Sequence, residues 1–349
     1  MTAPPQPVSI RPVGFDAEVT PAMDLPAVLG DLLRPALSPG DVVVVTSKIV
    51  SKWLGLFAPV GVERPDLVLQ QSDSVVAERA NDSGTTRVVQ AVAGPVMAGA
   101  GIDASNSGDD RLLLLPRDPD DVARRVRHEI AEILQRPTDF AVVLSDTSGR
   151  AWRGGLTDFA LGAAGLRPVD DLRGLPDTAG RDLAVTVRNI ADEVASAADL
   201  VKGKIDRVPV ALLSGLESFV TVDDGPGAAG LVRTGPSDWF ALGRAEAVRA
   251  ALGVAPGTPL SAEVGIESVA PEPLPDRVAR AVRVALTAAD RVDVDQSAPS
   301  DDGVVIRLEG SDPVALGRVW ARLEVALAGE RLTGVAARDA NGVCLTVRD

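Results

Sequence analysis

A run of four valines at residues 42–45 is the feature that most limits how this chain can fold. β-Branched residues favour strands, and the turn sequence Ser38-Pro-Gly-Asp41 comes directly before the run. Four consecutive apolar residues leave no polar side for solvent, so both faces of this strand must be covered. The sequence therefore predicts a central strand with other elements packed on either side of it.

Other apolar segments predict the elements around this strand. A helix is expected at residues 25–35, and another opens at Asp118, where acidic residues lie at its positive end, and contains His128. The remaining predictions are strands at residues 8–13, 87–93, 111–115, 140–144 and 208–213, and a helical end to the stretch 183–200.

A change in composition divides the chain. Five prolines fall between residues 252 and 275, which is typical of a linker. We therefore predict one domain at residues 1–250, a Pro-rich linker at 251–275 and a small α+β domain at 276–349. The predicted fold class is α+β, with mixed, largely antiparallel sheets and flanking helices. In the last domain, helices are expected at 277–288 and 313–328, and strands at 292–295, 304–308, 335–338 and 343–347.

Composition excludes several classes of function. The formal net charge of −14 disfavours sequence-independent binding to nucleic acid or to an anionic membrane, which requires a basic surface. Cys344 and His128 are the single cysteine and histidine, which excludes internal disulfides, thiolate zinc clusters and multi-histidine metal sites. Helical spacing around His128 favours a helix-surface position for it. Catalysis must then rest on carboxylates, hydroxyls, Lys, Arg and metal ions.

The chain shows no feature of export or membrane insertion. Residues 1–7 lack the basic and apolar segments of a signal peptide. No apolar run approaches the ~20 residues that span a bilayer. We therefore expect a cytoplasmic protein without a membrane partner.

The first of three segments with candidate chemistry follows the valine run. In Thr46-Ser-Lys-Ile-Val-Ser-Lys52, the hydroxyl of Ser47 and the ammonium of Lys52 could hold phosphate oxygens together with backbone amides. An ordinary helix start, with Ser as its cap, is the alternative.

The second segment is Ala98-Gly-Ala-Gly-Ile-Asp-Ala-Ser-Asn106. Its small residues let the backbone approach a ligand, and Asp103 and Asn106 offer oxygen ligands or amide contacts. The alternative is an Asx turn closed by Asp103.

The third segment, Ser145-Asp-Thr-Ser-Gly-Arg-Ala-Trp-Arg153, leaves an apolar strand. Asp146 and Thr147 supply oxygens of the kind that a metal ion prefers, while Arg150 and Arg153 supply guanidinium groups for a phosphate or a carboxylate. A structural Asp-Arg pair is the alternative.

Two nucleotide-binding patterns are excluded. Gly225-Pro-Gly-Ala-Ala-Gly230 matches G-x-G-x-x-G, but its second position is proline and no βαβ unit surrounds it. The chain also lacks the G-x-x-x-x-G-K-[ST] sequence, so a nucleotide here cannot be held by a P-loop.

Taken in order, these segments resemble the coenzyme F420-0:L-glutamate ligase family, over about residues 8–245 and with most similarity to its actinobacterial branch. The matching sequences are Gly40-Asp-Val-Val-Val-Val-Thr-Ser-Lys-Ile-Val-Ser-Lys52, Ala100-Gly-Ile-Asp-Ala-Ser-Asn106, Ser145-Asp-Thr-Ser-Gly-Arg-Ala-Trp-Arg153, Ala191-Asp-Glu-Val-Ala-Ser-Ala-Ala-Asp-Leu200 and Val201-Lys-Gly-Lys204 before Val208-Pro-Val-Ala211.

The resemblance implies a reaction. GTP would phosphorylate the terminal carboxylate of F420-0, and the amine of L-glutamate would attack the acyl phosphate, releasing GDP and phosphate. Divalent ions, Mn²⁺ or Mg²⁺, would screen the charges, and K⁺ is a further candidate ion. The resemblance also implies a homodimer with the active site near the subunit interface.

The resemblance also implies roles for particular residues. Asp103 and Asp146 would hold one metal ion, and Thr147 would help to hold a second. We assign the guanidinium groups of Arg150 and Arg153 to charge stabilisation at the transferred phosphoryl group. Contacts to GTP would come from Ser47, Lys52, Asn106, Lys202, Gly203 and Lys204.

This chain departs from the family pattern at three places. Lys204 stands where archaeal members carry an acidic or amide ligand of the second metal ion. Gly154 and Leu156 replace polar residues of the third segment, which could alter substrate preference. Residues 276–349 are too short for the flavin-binding domain that follows in some relatives, so no FMN site is expected.

Two other functions stay open at this level. One is the same chemistry with a different carboxylate acceptor or amino acid. The other is a non-catalytic paralogue that binds a nucleotide or a partner. The joint presence of Lys52, Asp103, Asp146 and Thr147 favours catalysis, because binding alone does not need the whole set.

Overall fold

The structure is a computed structural model that describes residues 7–82, 84–104, 111–203, 206–235, 238–287, 291–298, 303–338 and 342–348. These residues form two compact units. Unit 1 contains the described residues of Met1–Glu63 and Ala91–Thr234, and unit 2 those of Arg64–Gln90 and Gly235–Asp349.

The valine run forms the middle strand of a five-stranded sheet in unit 1, in the order β1-β10-β2-β6-β7. Strands β2 and β6 are parallel, and every other pairing in this sheet is antiparallel. The predicted class, α+β with mixed and largely antiparallel sheets, is confirmed. The strands are β1 (Ser9–Val13), β2 (Val42–Thr46), β6 (Ala141–Arg150), β7 (Arg153–Ala164) and β10 (Val210–Ser214).

Both faces of this sheet are covered by helices, as the valine run predicts. Val43 and Val45 point into one apolar core, and Val42 and Val44 into another, because successive strand residues face opposite sides. All four are fully buried. The first core includes residues of α1 (Leu25–Leu33), α2 (Ser47–Trp53) and α4 (Pro119–Leu134), and the second includes residues of α5 (Ile190–Asp199).

Helix α4 is fixed to the rest of unit 1 by a buried arginine. Arg127 has no exposed surface and pairs with Asp224, whose Oδ1 lies 2.8 Å from its Nη1. The exposed His128 lies on the helix surface, as expected, with Nε2 2.9 Å from the same oxygen. The Arg127 guanidinium also donates to the backbone carbonyls of Thr138, Phe140, Thr221, Val222 and Asp223.

The outer strand β7 donates backbone hydrogen bonds to two carboxylates rather than to a further strand. Ala160 N lies 2.9 Å from Asp192 Oδ1, and Ala163 N lies 2.8 Å from Asp120 Oδ1. The two amides are three residues apart because the pairing of β7 with β6 shifts by one residue between them. Leu161 is the extra residue and has no partner on β6.

The glycine-rich sequence that matches a dinucleotide motif has a structural role beside this strand. Ala228 N and Ala229 N donate to the Asp120 carboxylate at 2.7 and 2.9 Å. Gly227 has a φ of +76°, and a Cβ atom there would lie 2.2 Å from Asp120 Oδ2. A side chain at residue 227 would therefore prevent this approach.

One predicted strand of unit 1 is wrong. Residues 111–115 form no strand, because their backbone groups are shared between two partners. Leu113 exchanges hydrogen bonds with Asp103, while Leu112 and Leu114 bond Ala58 and Leu56. The remaining elements of unit 1 are β5 (Val96–Ala98), β8 (Val169–Asp171), β9 (Val187–Asn189) and 3₁₀ turns at Gly99–Gly101, Glu217–Phe219 and Ala229–Leu231.

Unit 2 contains a four-stranded antiparallel sheet in the order β11-β12-β14-β13. The inner face of this sheet, including Ile306 and Leu345, is buried with α8 and α9 in one core. Its elements are α8 (Leu274–Ala285), β11 (Asp293–Gln296), β12 (Val304–Glu309), α9 (Pro313–Gly329), β13 (Thr333–Arg338) and β14 (Gly342–Arg348). The other elements of unit 2 are α3 (Arg64–Gln70), β3 (Ser72–Asn81), β4 (Gly84–Ala91), α6 (Arg244–Ala251) and α7 (Pro259–Val264).

The compact units follow other boundaries than the division expected at residues 250 and 276. Leu252, Val254 and Val264, from the Pro-rich segment, are buried in the core of unit 2. Residues 64–90 also belong to that unit. The prolines therefore lie in a packed segment, and Pro259 begins α7.

None of the helices in the described ranges combines the length and the apolar character needed to cross a membrane.

Candidate active site

The first and third candidate segments meet at one end of the sheet in unit 1. Strands β2 and β6 are parallel, with Thr46 opposite Ser145, so the residues that follow them lie at the same edge. Ser47 begins α2 there, and its Oγ donates to Asp146 Oδ1 at 2.8 Å. The third segment is not a loop, however, because β6 continues to Arg150.

The second segment reaches the same place through a lysine. Lys48 Nζ lies 2.7 Å from Asp103 Oδ2. The Asp103 backbone is held by two hydrogen bonds to Leu113, of 3.1 and 2.8 Å. Lys48 was not among the residues predicted from sequence, although it lies inside the first segment.

Within this cluster, the carboxyl of Asp146 has a raised pKa. The pKa of its carboxyl is raised from an ordinary 3.8 to about 6, mainly by burial and to a smaller extent by the negative charges of Asp158 and Asp103. Hydrogen bonds from the Ser47 side chain and the Thr147 backbone lower it, but not enough to compensate. A cation beside Asp146 would therefore stabilise its ionised form.

A second network lies around Asp158 on β7. Asp158 accepts hydrogen bonds from Ser145 Oγ at 2.8 Å and from Thr147 Oγ1 at 2.7 Å. Lys202 Nζ lies 2.6 Å from Asp158 Oδ2 and 2.5 Å from Ser145 Oγ. In the side chains of Asp158 and Lys202, only 3% and 5% of the surface is exposed.

Lys52, expected to contact the nucleotide, has a different partner. Its Nζ lies 2.6 Å from Glu18 Oε1. The side chain of Lys52 is 9% exposed, whereas that of Glu18 is 76% exposed. A phosphate could replace such an exposed carboxylate at low cost, because a surface ion pair contributes little free energy.

The two arginines assigned to charge stabilisation lie at the tip of a hairpin. Arg150 ends β6, Arg153 begins β7, and the two residues are paired across the hairpin. Both side chains are exposed. They extend the strand that carries Asp146 into solvent, away from the buried part of the sheet.

The remaining predicted contacts follow α5. Lys202 N bonds the Ala198 carbonyl at 3.1 Å, and Gly203 forms an isolated bridge with Val208. Asn106 and Lys204 lie outside the described residues.

A cavity of about 480 Å³ lies beside β7. Phe159 and Ala160, which follow Asp158, form part of its wall, together with Asp192 and Arg117. It therefore lies next to the strand that carries the buried network.

Comparison with known proteins identifies the family of this chain. The family model described as F420-0:gamma-glutamyl ligase matches residues 59–215. The coenzyme F420:L-glutamate ligase of Methanopyrus kandleri is 32% identical in an alignment of 248 residues that covers 65% of this chain and 95% of that protein. The chain belongs to the F420-0:gamma-glutamyl ligase family.

Two further relatives of this family, with the same description, support the assignment. The protein of Archaeoglobus fulgidus is 34% identical in an alignment of 225 residues that covers 57% of this chain and 88% of that protein. The protein of Halobacterium salinarum is 36% identical in an alignment of 208 residues that covers 54% of this chain and 79% of that protein.

In this member of the F420-0:gamma-glutamyl ligase family, the donor atoms at the site fit a divalent cation. The carboxylates of Asp103 and Asp146 and the hydroxyl of Thr147 are oxygen ligands of the type that Mg²⁺ and Mn²⁺ prefer. The raised pKa of Asp146 agrees with this fit. Within the described ranges, no group of three or more His, Cys, Asp or Glu side chains could hold a metal ion. Phosphate oxygens or water would therefore have to complete the ligands.

Sequence reasoning gave Asp158 no role in this member of the F420-0:gamma-glutamyl ligase family. Its position in Leu156-Thr-Asp-Phe-Ala160 carries one signal, a charged residue just before an apolar run. Its partners could not be found without the strand register, which places Thr147 opposite Asp158.

Proposed function

We propose that this chain is a GTP- and metal-dependent ligase that adds L-glutamate to the terminal carboxylate of F420-0. Curated relatives in its family are called coenzyme F420:L-glutamate ligases. The observation that supports the proposal most directly is the hydrogen bond between Ser47 and Asp146, which joins two of the predicted segments at the end of β2 and β6.

The proposed reaction has two steps. A carboxylate oxygen of F420-0 attacks the γ-phosphorus of GTP, and the bond to the bridging oxygen breaks, so that GDP leaves. The amine of L-glutamate then attacks the carbonyl carbon of the acyl phosphate. Phosphate leaves, the nitrogen loses a proton, and an amide remains. No covalent bond to the protein is needed, which suits a chain with one cysteine and one histidine.

The residues would act mainly by positioning and by charge. Asp103, Asp146 and Thr147 would hold the divalent ions, Mn²⁺ or Mg²⁺, which supply charge screening at the phosphates. Lys48 is drawn to Asp103 and would share that carboxylate with an ion. Lys52 would exchange its exposed partner Glu18 for a phosphate of GTP.

By family resemblance, Ser47, Asn106, Gly203 and Lys204 would contact GTP. We assign Arg150 and Arg153 to charge stabilisation at the transferred phosphoryl group. We also propose that K⁺ assists, and that the protein acts as a homodimer in the cytoplasm. Light scattering of the purified protein tests the dimer.

The first experiment measures GDP release and product mass, with GTP, Mn²⁺ or Mg²⁺, L-glutamate and F420-0. Asp146→Asn keeps the acceptor for Ser47 but removes the charge, so we expect ligation to fall at least 100-fold. Asp171→Asn is the matched control, because Asp171 is an exposed aspartate on β8 of the same unit. Its ligation should stay at the wild-type rate.

The result separates the proposal from its rivals. A product heavier by one or more glutamyl units, formed by wild type and by Asp171→Asn, supports the ligase. Tight GTP binding without any glutamylated product would refute F420-0 as the acceptor. That outcome would instead favour another acceptor or a binding role.

A further inference from the structure

In the buried network around Asp158, the hydroxyl proton of Thr147 is used in a hydrogen bond to the Asp158 carboxylate. A threonine hydroxyl has one proton and two lone pairs. Thr147 Oγ1 donates its proton to Asp158 Oδ1 at 2.7 Å. Its oxygen therefore has only lone pairs left for any other group, as a cation ligand requires.

The other oxygen of Asp158 is saturated by donors. Asp158 Oδ2 accepts from Ser145 Oγ at 2.8 Å and from Lys202 Nζ at 2.6 Å. The same ammonium donates to Ser145 Oγ at 2.5 Å. Because every donor is directed at Asp158 or Ser145, the carboxylate has little freedom to rotate, and the proton of Thr147 has one acceptor.

Charge compensation makes this arrangement possible inside the protein. A buried carboxylate without a counter-charge is strongly unfavourable, and Lys202 supplies that charge. The pair is neutral as a unit, so it orients Thr147 without adding a net charge to the site. The Lys202 ammonium is thereby occupied, with 5% of the side chain exposed, rather than free to meet a nucleotide.

We propose that Asp158, with Lys202 as its counter-ion, is a positioning residue that presents the Thr147 oxygen as an acceptor to the divalent cation of the bound nucleotide. The inference rests on the proposed function, since it requires metal-GTP at this site. It assigns Lys202 a role through Asp158 instead of a direct contact with GTP.

Two double variants separate positioning from mere stability. Asp158→Asn/Lys202→Met and Asp158→Leu/Lys202→Met both remove the buried ion pair, and neither leaves an unpaired charge. The asparagine can still accept from Thr147 through Oδ1 and donate to Ser145 through its amide. The leucine offers Thr147 no acceptor. The two variants thus differ in the contact that the proposal requires.

The experiment measures Mn²⁺ affinity by electron paramagnetic resonance, in the presence of a non-hydrolysable GTP analogue. Loss of a group that orients a metal ligand usually weakens metal affinity about 10- to 100-fold. We expect a loss of that size in the Leu/Met variant and of no more than about 3-fold in the Asn/Met variant. Thermal unfolding without metal reports whether each variant is folded, and Asp158→Val/Lys202→Met replaces the leucine variant if that one is not.

The possible outcomes test the positioning role and the metal proposal separately. Equal Mn²⁺ affinities in the two double variants, with wild-type protein that binds Mn²⁺ and ligates glutamate, would overturn the positioning role alone. Wild-type protein that binds no Mn²⁺ with the analogue would overturn the metal proposal and this inference with it. Weaker Mn²⁺ binding only in the variant without an acceptor would support Asp158 as the positioning residue.

Discussion

Replacing Asp146 by asparagine should stabilise the metal-free protein at neutral pH while it abolishes ligation. The carboxyl of Asp146 is buried, and its pKa is raised from 3.8 to about 6 by that burial and by the charges of Asp158 and Asp103. Lys48 pairs with Asp103 and Lys202 with Asp158, so no lysine forms a described ion pair with Asp146 itself. Asparagine keeps an acceptor for Ser47 Oγ and carries no charge.

The size and the sign of the effect follow from that pKa. A native pKa above the unfolded one means that the native state binds more protons, so stability falls as pH rises between about 3.8 and 6. The free-energy cost of ionising the buried carboxyl of Asp146 is absent at pH values below this window and is fully present above it. A rise from 3.8 to about 6 corresponds to about 3 kcal/mol at pH 7.5, an upper limit because local rearrangement can relieve it.

Denaturation by urea in the presence of a chelator measures this effect at pH 7.5 and pH 4.5. We expect Asp146→Asn to be more stable than wild type by about 1–3 kcal/mol at pH 7.5, and the gain to shrink to about a third of that value at pH 4.5. Asp171→Asn is the control. An ion pair with Arg173 lowers the pKa of Asp171 to about 2, so its loss should bring no gain.

Two results would refute this reasoning. One is an Asp146→Asn protein that is no more stable than wild type at pH 7.5. The other is the same gain at both pH values, which would show that charge is not the cause. Adding Mn²⁺ with a GTP analogue should narrow the difference, because the ionised carboxylate of wild type then gains a counter-charge.

Three further predictions concern single contacts. Arg127→Met should lower the free energy of unfolding by about 3–5 kcal/mol in urea denaturation, because it leaves Asp224 and several carbonyls without their buried donor; a loss below 1 kcal/mol would contradict this role. Ser47→Ala should raise the KM for GTP about 10-fold in steady-state assays, since it removes the hydroxyl that bonds Asp146 and that we propose contacts GTP, and an unchanged KM would place Ser47 outside the nucleotide site. Ile306→Ala should cost about 2–5 kcal/mol by creating a cavity in the core of unit 2, again measured in urea, and Val305→Ala on the less buried face of β12 should cost less.

Local patterns carried much of the fold prediction. The strand expected at residues 42–45 is β2, and the helix that contains His128 is α4, because apolar runs and helical spacing depend on neighbours in sequence. The failure at residues 111–115 has the opposite origin. That segment is apolar enough for a strand, but its partners are single residues from two other places, which no local pattern reveals.

The sequence predicts the segments that form the candidate site, but it does not predict the contacts between them. Ser47, Asp103 and Asp146 were named from sequence, and the structure brings Ser47 and Asp146 into hydrogen-bonding distance. The ion pairs of Lys48 and Lys202 were not predicted, because their partners lie 55 and 44 residues away along the chain. Such pairing follows from strand register and helix placement, which only the folded chain defines.

The carboxylates beside β7 have a consequence for how this protein meets its neighbours in a concentrated solution. An outer strand with free amides invites a strand from another molecule, which is a common route to aggregation. Here Asp120 and Asp192 already occupy the amides of Ala163 and Ala160. An incoming strand would have to displace both carboxylates, and the glycine-rich segment that Asp120 holds in place would move with them. Addition of a strand along residues 160–163 of β7 is therefore opposed by these two carboxylates.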